Sequence, residues 1–286
     1  MSKSVSRIAT QSLTCASLLA GLMCAGSAPS AAAQALPSFA PDDSTGWVPA
    51  RPEGDEFLPP PSGPGPVQAE AGHAYIPNGQ GQPTYRIADT TNPILQPWVV
   101  EKLKAANDRV RAGKVPYIPH ERCWPGGVPG WEVYTRVRPI YFLETPKEVT
   151  IVDELDHQVR HVYMNVPHSA NPKPSWYGES VGHYEGDELV VDTVGQHDRS
   201  LIDNYGTTHT DKIHVVERWK LTDGGSILQV TVAVDDPGAF TMPWSAVQRY
   251  KRGEKRAMVE LSCAENNFDF LGYEVVPLPV SNTSDF

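Results

Sequence analysis

Between Glu148 and Lys251 apolar residues recur at every second position in one short run after another, with turn-forming residues between the runs. A repeat of two is the side-chain period of a strand, not of a helix. Glu148–Glu154 and Val159–Asn165 flank Leu155-Asp156-His157, and Ser180–Glu185 and Glu188–Val194 flank Gly186-Asp187. Lys212–Lys220 and Ser226–Val234 flank Thr222-Asp223-Gly224-Gly225, and Ala246–Lys251 is matched by Arg256–Ser262. Successive hairpins of this kind predict an antiparallel meander. A meander hides its edges by closing on itself or by stacking, so the expected fold is mainly β, a lipocalin-like barrel or a sandwich. One helix is expected to pack outside it. Pro97 suits a first turn, Trp98, Val99, Leu103, Ala106 and Val110 fall near helical spacing, and Gly113 suits the stop.

The chain's beginning has the pattern of a Sec-type signal peptide, expected over residues 1–35. Lys3 and Arg7 precede an apolar run from Leu13 to Met23, too short to span a bilayer, and small residues lead to Ala33 and Ala35. Residues 36–85, rich in Pro and Gly, are expected as an extended arm, and 86–286 as a single β-rich domain. No later run is apolar enough for membrane insertion, so the mature protein is expected to be periplasmic or secreted. Cys15 and Cys24 depart with the signal, leaving Cys123 and Cys263, which an oxidising compartment would join in a disulfide. The formal charge of −10 disfavours nucleic acid and anionic lipid as partners.

The connection from Gly195 to His214 is too long for a hairpin turn and carries His197, Asp198, His209 and Asp211. Neighbouring imidazoles and carboxylates are the ingredients of acid–base pairs, in which the acid fixes a tautomer and the His moves the proton. His183 and Glu185 share one face of the Gly182–Asp187 hairpin. These six are the candidate catalytic residues, and Trp176, Tyr184, Tyr205, His214 and Trp244 the candidate substrate-binding residues. On the same alternation, Asp192 interrupts an apolar face and Glu217 stands between Val215 and Trp219, so each needs a partner if buried. Gly178-Glu179-Ser180-Val181-Gly182 matches the hydrolase elbow in letters, but a strand and not a helix follows the serine. His209-x-Asp211-x-x-His214 matches no metal-ligand spacing, so no metal is expected. There is no phosphate loop, dinucleotide fingerprint or haem motif, and no cofactor is expected.

The run Trp176-Tyr177-Gly178-Glu179-Ser180-Val181-Gly182-His183-Tyr184-Glu185-Gly186-Asp187-Glu188-Leu189-Val190-Val191-Asp192-Thr193 resembles a motif of an uncharacterised family of exported bacterial proteins. The likeness continues through His209-Thr210-Asp211, Asp235-Asp236-Pro237, Pro243-Trp244 and Cys263-Ala264-Glu265. It departs at Tyr184, where the family has Trp, and at Asn165-Val166-Pro167-His168. The resemblance implies export and an intact fold, and no particular activity.

Together these features favour a cofactor-free enzyme of the lyase or isomerase type. It would act by His and carboxylate acid–base chemistry on a small hydrophobic or aromatic molecule. The alternatives are a non-catalytic, lipocalin-like carrier and an envelope interaction module.

Overall fold

The computed structural model describes residues 37–40, 45–50, 56–73, 86–112, 123–134, 139–155 and 158–260. The expected signal peptide, the Gly113 helix stop and Cys263 lie outside them. Nine strands form one closed barrel: β1 (Trp47–Pro49), β2 (Ile140–Glu144), β3 (Glu148–Asp153), β4 (Gln158–Met164), β5 (Glu179–Glu185), β6 (Glu188–Val194), β7 (His214–Thr222), β8 (Ile227–Asp235) and β9 (Trp244–Arg252). Each pairs with the next, and β1 closes the ring against β9. The fold is therefore a barrel and not a sandwich.

The alternation that predicts the strands also assigns their faces. Val215, Glu217 and Trp219 on β7 stand opposite Val234, Val232 and Val230 on β8, and these in turn opposite Trp244, Ala246 and Gln248 on β9. All are buried, while the intervening residues are partly or fully exposed. A strand set with one apolar face can hide it only by curling that face inward, and closure removes both edges.

Three expectations require correction. The barrel is not a pure antiparallel meander: β4 and β5 run parallel, paired only over Val162–Met164 and Ser180–Gly182. Residues 165–178, carrying Pro167, Pro172 and Pro174, return the chain to the end from which β4 started, as a parallel connection must. Residues 256–260 form no strand, because β1 takes the place beside β9. The segment expected as an external arm supplies that strand. Phe39, Trp47, Phe57 and Val67 are all at most 3% exposed, and Leu58 exchanges backbone hydrogen bonds with Val247. A few apolar anchors thus hold the described stretches of a segment whose average composition predicts no order.

The helix α1 (Pro97–Arg111) lies where expected and buries Val99, Leu103 and Asn107, one face at a spacing of four. Asn107 brackets the Ala88 backbone, accepting from its N–H (2.8 Å) and donating to its carbonyl (2.9 Å). Trp98 donates its indole N–H to the Gly238 carbonyl at 2.7 Å, fastening the helix to the β8–β9 connection.

A second, single-turn helix α2 (Trp131–Tyr134) was not foreseen, and it occupies the barrel itself. Trp131 lies against the inward-facing Trp219, with ring centroids 5.9 Å apart, and the inward-facing Tyr250 donates its hydroxyl to the Glu132 carbonyl (2.9 Å). The segment leading to α2 is held by Gln196, whose side chain accepts from Val128 N–H (2.7 Å) and donates to Val128 C=O (2.8 Å).

Candidate active site

The barrel interior carries a buried group of charges among mostly apolar side chains. Arg160 on β4 donates from Nη1 to Glu217 Oε1 on β7 at 2.7 Å and from Nη2 to Oε2, a two-pronged pair with both side chains at most 3% exposed. The same guanidinium reaches Thr193 Oγ1 on β6 (2.9 Å) and Ser180 Oγ on β5 (3.1 Å), so nearly all of its donors are used. The ring of Trp131 lies 5.8 Å from the guanidinium carbon.

Glu132 of α2 brings a second carboxyl to Glu217, and it is fully buried. Neither of its side-chain oxygens receives an N–H or O–H bond among the described residues. An unsolvated carboxylate beside another carboxylate is untenable. Burial, and after it the charge of Glu217, raise the Glu132 carboxyl well above its usual range, against the smaller opposing pull of Arg160. Burial beside the Arg160-bound Glu217 thus favours the protonated form of Glu132. Close by, the indole N–H groups of Trp131 and Trp219 are buried without an acceptor among the described residues. Buried donors are nearly always satisfied, which makes these two indoles candidate donors to a bound polar atom.

A cleft lies against the barrel wall at Arg160. The parallel seam between β4 and β5 covers three residue pairs, and beyond it Gln158, Arg160 and His161 face Ser175–Gly178 across a cleft of about 310 Å³. Tyr163, Trp176 and Tyr177 give the cleft aromatic sides, and Arg160 belongs both to its lining and to the acid pair. Trp176 is braced from behind by Trp124 (5.1 Å between centroids) and His197 (5.6 Å). The clefted side is fixed in turn by a hydrogen bond from His197 N–H to the Ser175 carbonyl (2.9 Å).

The residues expected to form a catalytic group do not come together. His183 (Nε2 to Glu185 Oε1, 3.0 Å) and Glu185 are an exposed outer-face pair, and the Arg218 guanidinium, then His183, hold the Glu185 carboxyl below its usual range. They stand at the hairpin end of β6, whereas His197, Asp198, His209 and Asp211 follow its other end, roughly 20 Å away at about 3.3 Å per residue. Asp198 and Asp211 are exposed. His209 is buried, and its partners are not carboxylates: Nδ1–H donates to the Thr210 carbonyl (2.9 Å), leaving Nε2 to accept from the Ser200 hydroxyl (2.8 Å). Burial pushes the His209 imidazole below its usual range, so it is neutral.

Of the expected binding residues, Trp176 alone lines the cleft. Tyr184 is half-buried, with its hydroxyl 3.4 Å from Glu144, and burial raises its phenol above the usual range. Tyr205 is a core residue donating its hydroxyl to Glu56, and Trp244 packs edge-on against Phe240. His214 points outward to Asp192 (2.9 Å). The acid Asp192 is indeed paired, and so is Glu217. Ser180 of the elbow-like motif lies within β5 and serves Arg160. Among the described residues no three His, Cys, Asp or Glu side chains are placed to hold a metal ion.

Glu132 and Arg160 were missed. Arg160 had a signal, since it occupies an inward position in Val159-Arg160-His161-Val162. Glu132 had only its setting in Gly-Gly-Val-Pro-Gly-Trp-Glu-Val, an acid flanked by Trp131 and Val133, and nothing local marks that turn as an occupant of a barrel.

The arrangement defines a closed mixed β-barrel with an internal helix that delivers a second buried carboxyl to a buried ion pair. Comparison with protein-family models, with curated proteins and with solved structures gave no match.

Proposed function

We propose that this chain is a cofactor-free proton-transfer enzyme of the lyase or isomerase type, with Glu132 as its acid. The reading is carried by one observation: a fully buried carboxyl, raised well above its usual range by burial and by the Arg-held Glu217 next to it. Strongly perturbed groups with a specific charge partner cluster at functional sites. Glu132 would protonate a carbonyl or hydroxyl oxygen, and Glu217, oriented by Arg160, would accept the proton released at carbon. The indole N–H groups of Trp131 and Trp219 supply donors for oxygen in the interim. General acid–base transfer of this kind contributes about 10²–10⁴ in rate.

The substrate is a small, flat, largely apolar or aromatic molecule. Trp176, Tyr177 and Tyr163 offer ring faces and edges, and the cleft is at the lower end of small-ligand volumes, about 300–1,000 Å³. Arg160 is committed to Glu217, Ser180 and Thr193, so it offers little to an anionic substrate. A carrier would need room inside the barrel, and there α2 packs on Trp219 and Tyr250. We further propose export by the signal sequence to the periplasm or beyond, and a Cys123–Cys263 bridge in the mature chain.

The test is a turnover screen of ring-bearing alcohols and ketones by mass spectrometry with wild type, Glu132→Gln and Trp176→Ala. The expected pattern is a converted compound whose turnover Glu132→Gln abolishes while binding persists, and whose binding Trp176→Ala weakens. Equal turnover by wild type and Glu132→Gln would remove the acid from the mechanism.

A further inference from the structure

Outside the barrel wall, four titratable side chains from four segments meet. His168 of the crossover 165–178 directs Nδ1 at Glu179 Oε1 on β5 and Nε2 at Asp192 Oδ1 on β6, each at 3.0 Å. His214 on β7 places its own Nε2 at 2.9 Å from the same Asp192 oxygen. Ser169 N–H adds a bond to Glu179 Oε1 at 2.7 Å. The charged groups facing His168 are thus Glu179 and Asp192, with His214 behind Asp192.

A neutral imidazole carries one N–H and one lone pair. With both ring nitrogens against carboxylates, a neutral His168 would turn its lone pair on one of them. Only the doubly protonated ring satisfies both contacts. His214 meets one carboxylate and can do so in its neutral Nε2–H form. Ser169 first, and His168 after it, hold the Glu179 carboxyl below its usual range, so Glu179 stays charged throughout the pH range in which histidines titrate.

We infer that His168, Glu179 and Asp192 form a proton-operated clamp that docks the middle of the crossover onto β5 and β6 when His168 is charged and frees it when His168 is neutral. Backbone bonds fix both ends of the crossover, Asn165 N–H to the Gly182 carbonyl (2.7 Å) and Ser175 N–H to the Gly195 carbonyl (3.1 Å). Between them the side chains of Val166, Pro167 and Ser169 to Asn171 are exposed and contribute little anchorage. The clamp supplies it, and the segment it governs leads directly into Ser175 and Trp176 at the cleft. That last link, to a substrate cleft, rests on the proposed function; the clamp itself does not.

The experiment needs no substrate. Amide hydrogen exchange of residues 166–174, corrected for intrinsic rates, is followed from pH 5 to pH 8 in wild type, His168→Gln and His214→Gln. In wild type, protection at Ser169 falls about tenfold or more as pH rises, the scale of a lost charge-assisted bond. His168→Gln shows low protection with no such step, and His214→Gln keeps the step. Nitrogen NMR of the ring shows both His168 nitrogens bearing protons at the acid end. A wild-type profile without a step, or the same step in His168→Gln, would overturn the clamp, whatever the turnover screen finds.

Discussion

Glu132 of the internal helix and Glu217 of β7 bring two carboxyls together in the barrel, the first pushed well above its usual range by burial and by the second, which Arg160 binds. A protein has no packing reason to bring two acids together in an apolar interior. Leaving an acid there costs stability, and the cost has a definite pH dependence.

The folded protein keeps the Glu132 proton above the pH at which the unfolded chain, near the ordinary value of 4.5, releases it. Its contribution to stability is therefore greatest at acid pH and declines as pH rises above about 4.5 towards the raised folded value. Glu132→Gln keeps the shape and removes the titration. Urea unfolding from pH 5 to pH 8 should show wild type losing stability relative to Glu132→Gln as pH rises. A constant difference would contradict a neutral Glu132.

Removing one partner of the ion pair should cost far more than replacing both. Arg160→Met strands the Glu217 charge, and a loss of about 3–5 kcal/mol is expected. Arg160→Met with Glu217→Gln should recover a large part of it. Equilibrium denaturation of the single and double variants measures this directly, and additive losses would contradict it.

His209 titrates in the opposite sense. Its folded value is depressed below 6.5, so the unfolded chain binds a proton that the folded protein refuses. The resulting stability is present above about pH 6.5 and is lost as pH falls through it. In His209→Gln that acid-side loss should be reduced, visible as a flatter melting-temperature profile between pH 5 and pH 7. An unchanged profile would place the titration elsewhere.

The anchor of the internal helix can be loosened separately. Gln196→Ala leaves the N–H and carbonyl of Val128 unpaired in the interior, a loss of about 1–3 kcal/mol for each buried group so stranded. Gly127→Ala should be worse than an ordinary surface change, since a Cβ there would lie 2.3 Å from Ser200 Oγ and the backbone is at φ +68°. If Gln196→Ala unfolds at the wild-type urea concentration, the bracket contributes nothing.

The barrel was legible because period two is a local property: Val215, Glu217 and Trp219 reveal their common face without knowledge of their neighbours. The same alternation showed that Glu217 and Asp192 required partners. What it could not supply was the partner's identity, because Arg160 and Glu217 are 57 positions apart and Glu132 enters from a turn with no repeat at all. The parallel seam escaped for a related reason. Strands joined by short turns announce their pairing, whereas residues 165–178 leave direction to tertiary packing. Histidine density did not mark one place in the fold, since His183, His197 and His209 serve three separate local environments.

The most direct measurement is deuterium incorporation in D₂O, by NMR, into a bound ring-bearing ketone identified in the turnover screen. The account predicts that wild type exchanges a carbon-bound proton of the ligand, and that Glu132→Gln, folded and binding the same ligand, slows that exchange by about 10²-fold or more. Exchange at the wild-type rate in Glu132→Gln, or none in wild type with the ligand demonstrably bound, would contradict it.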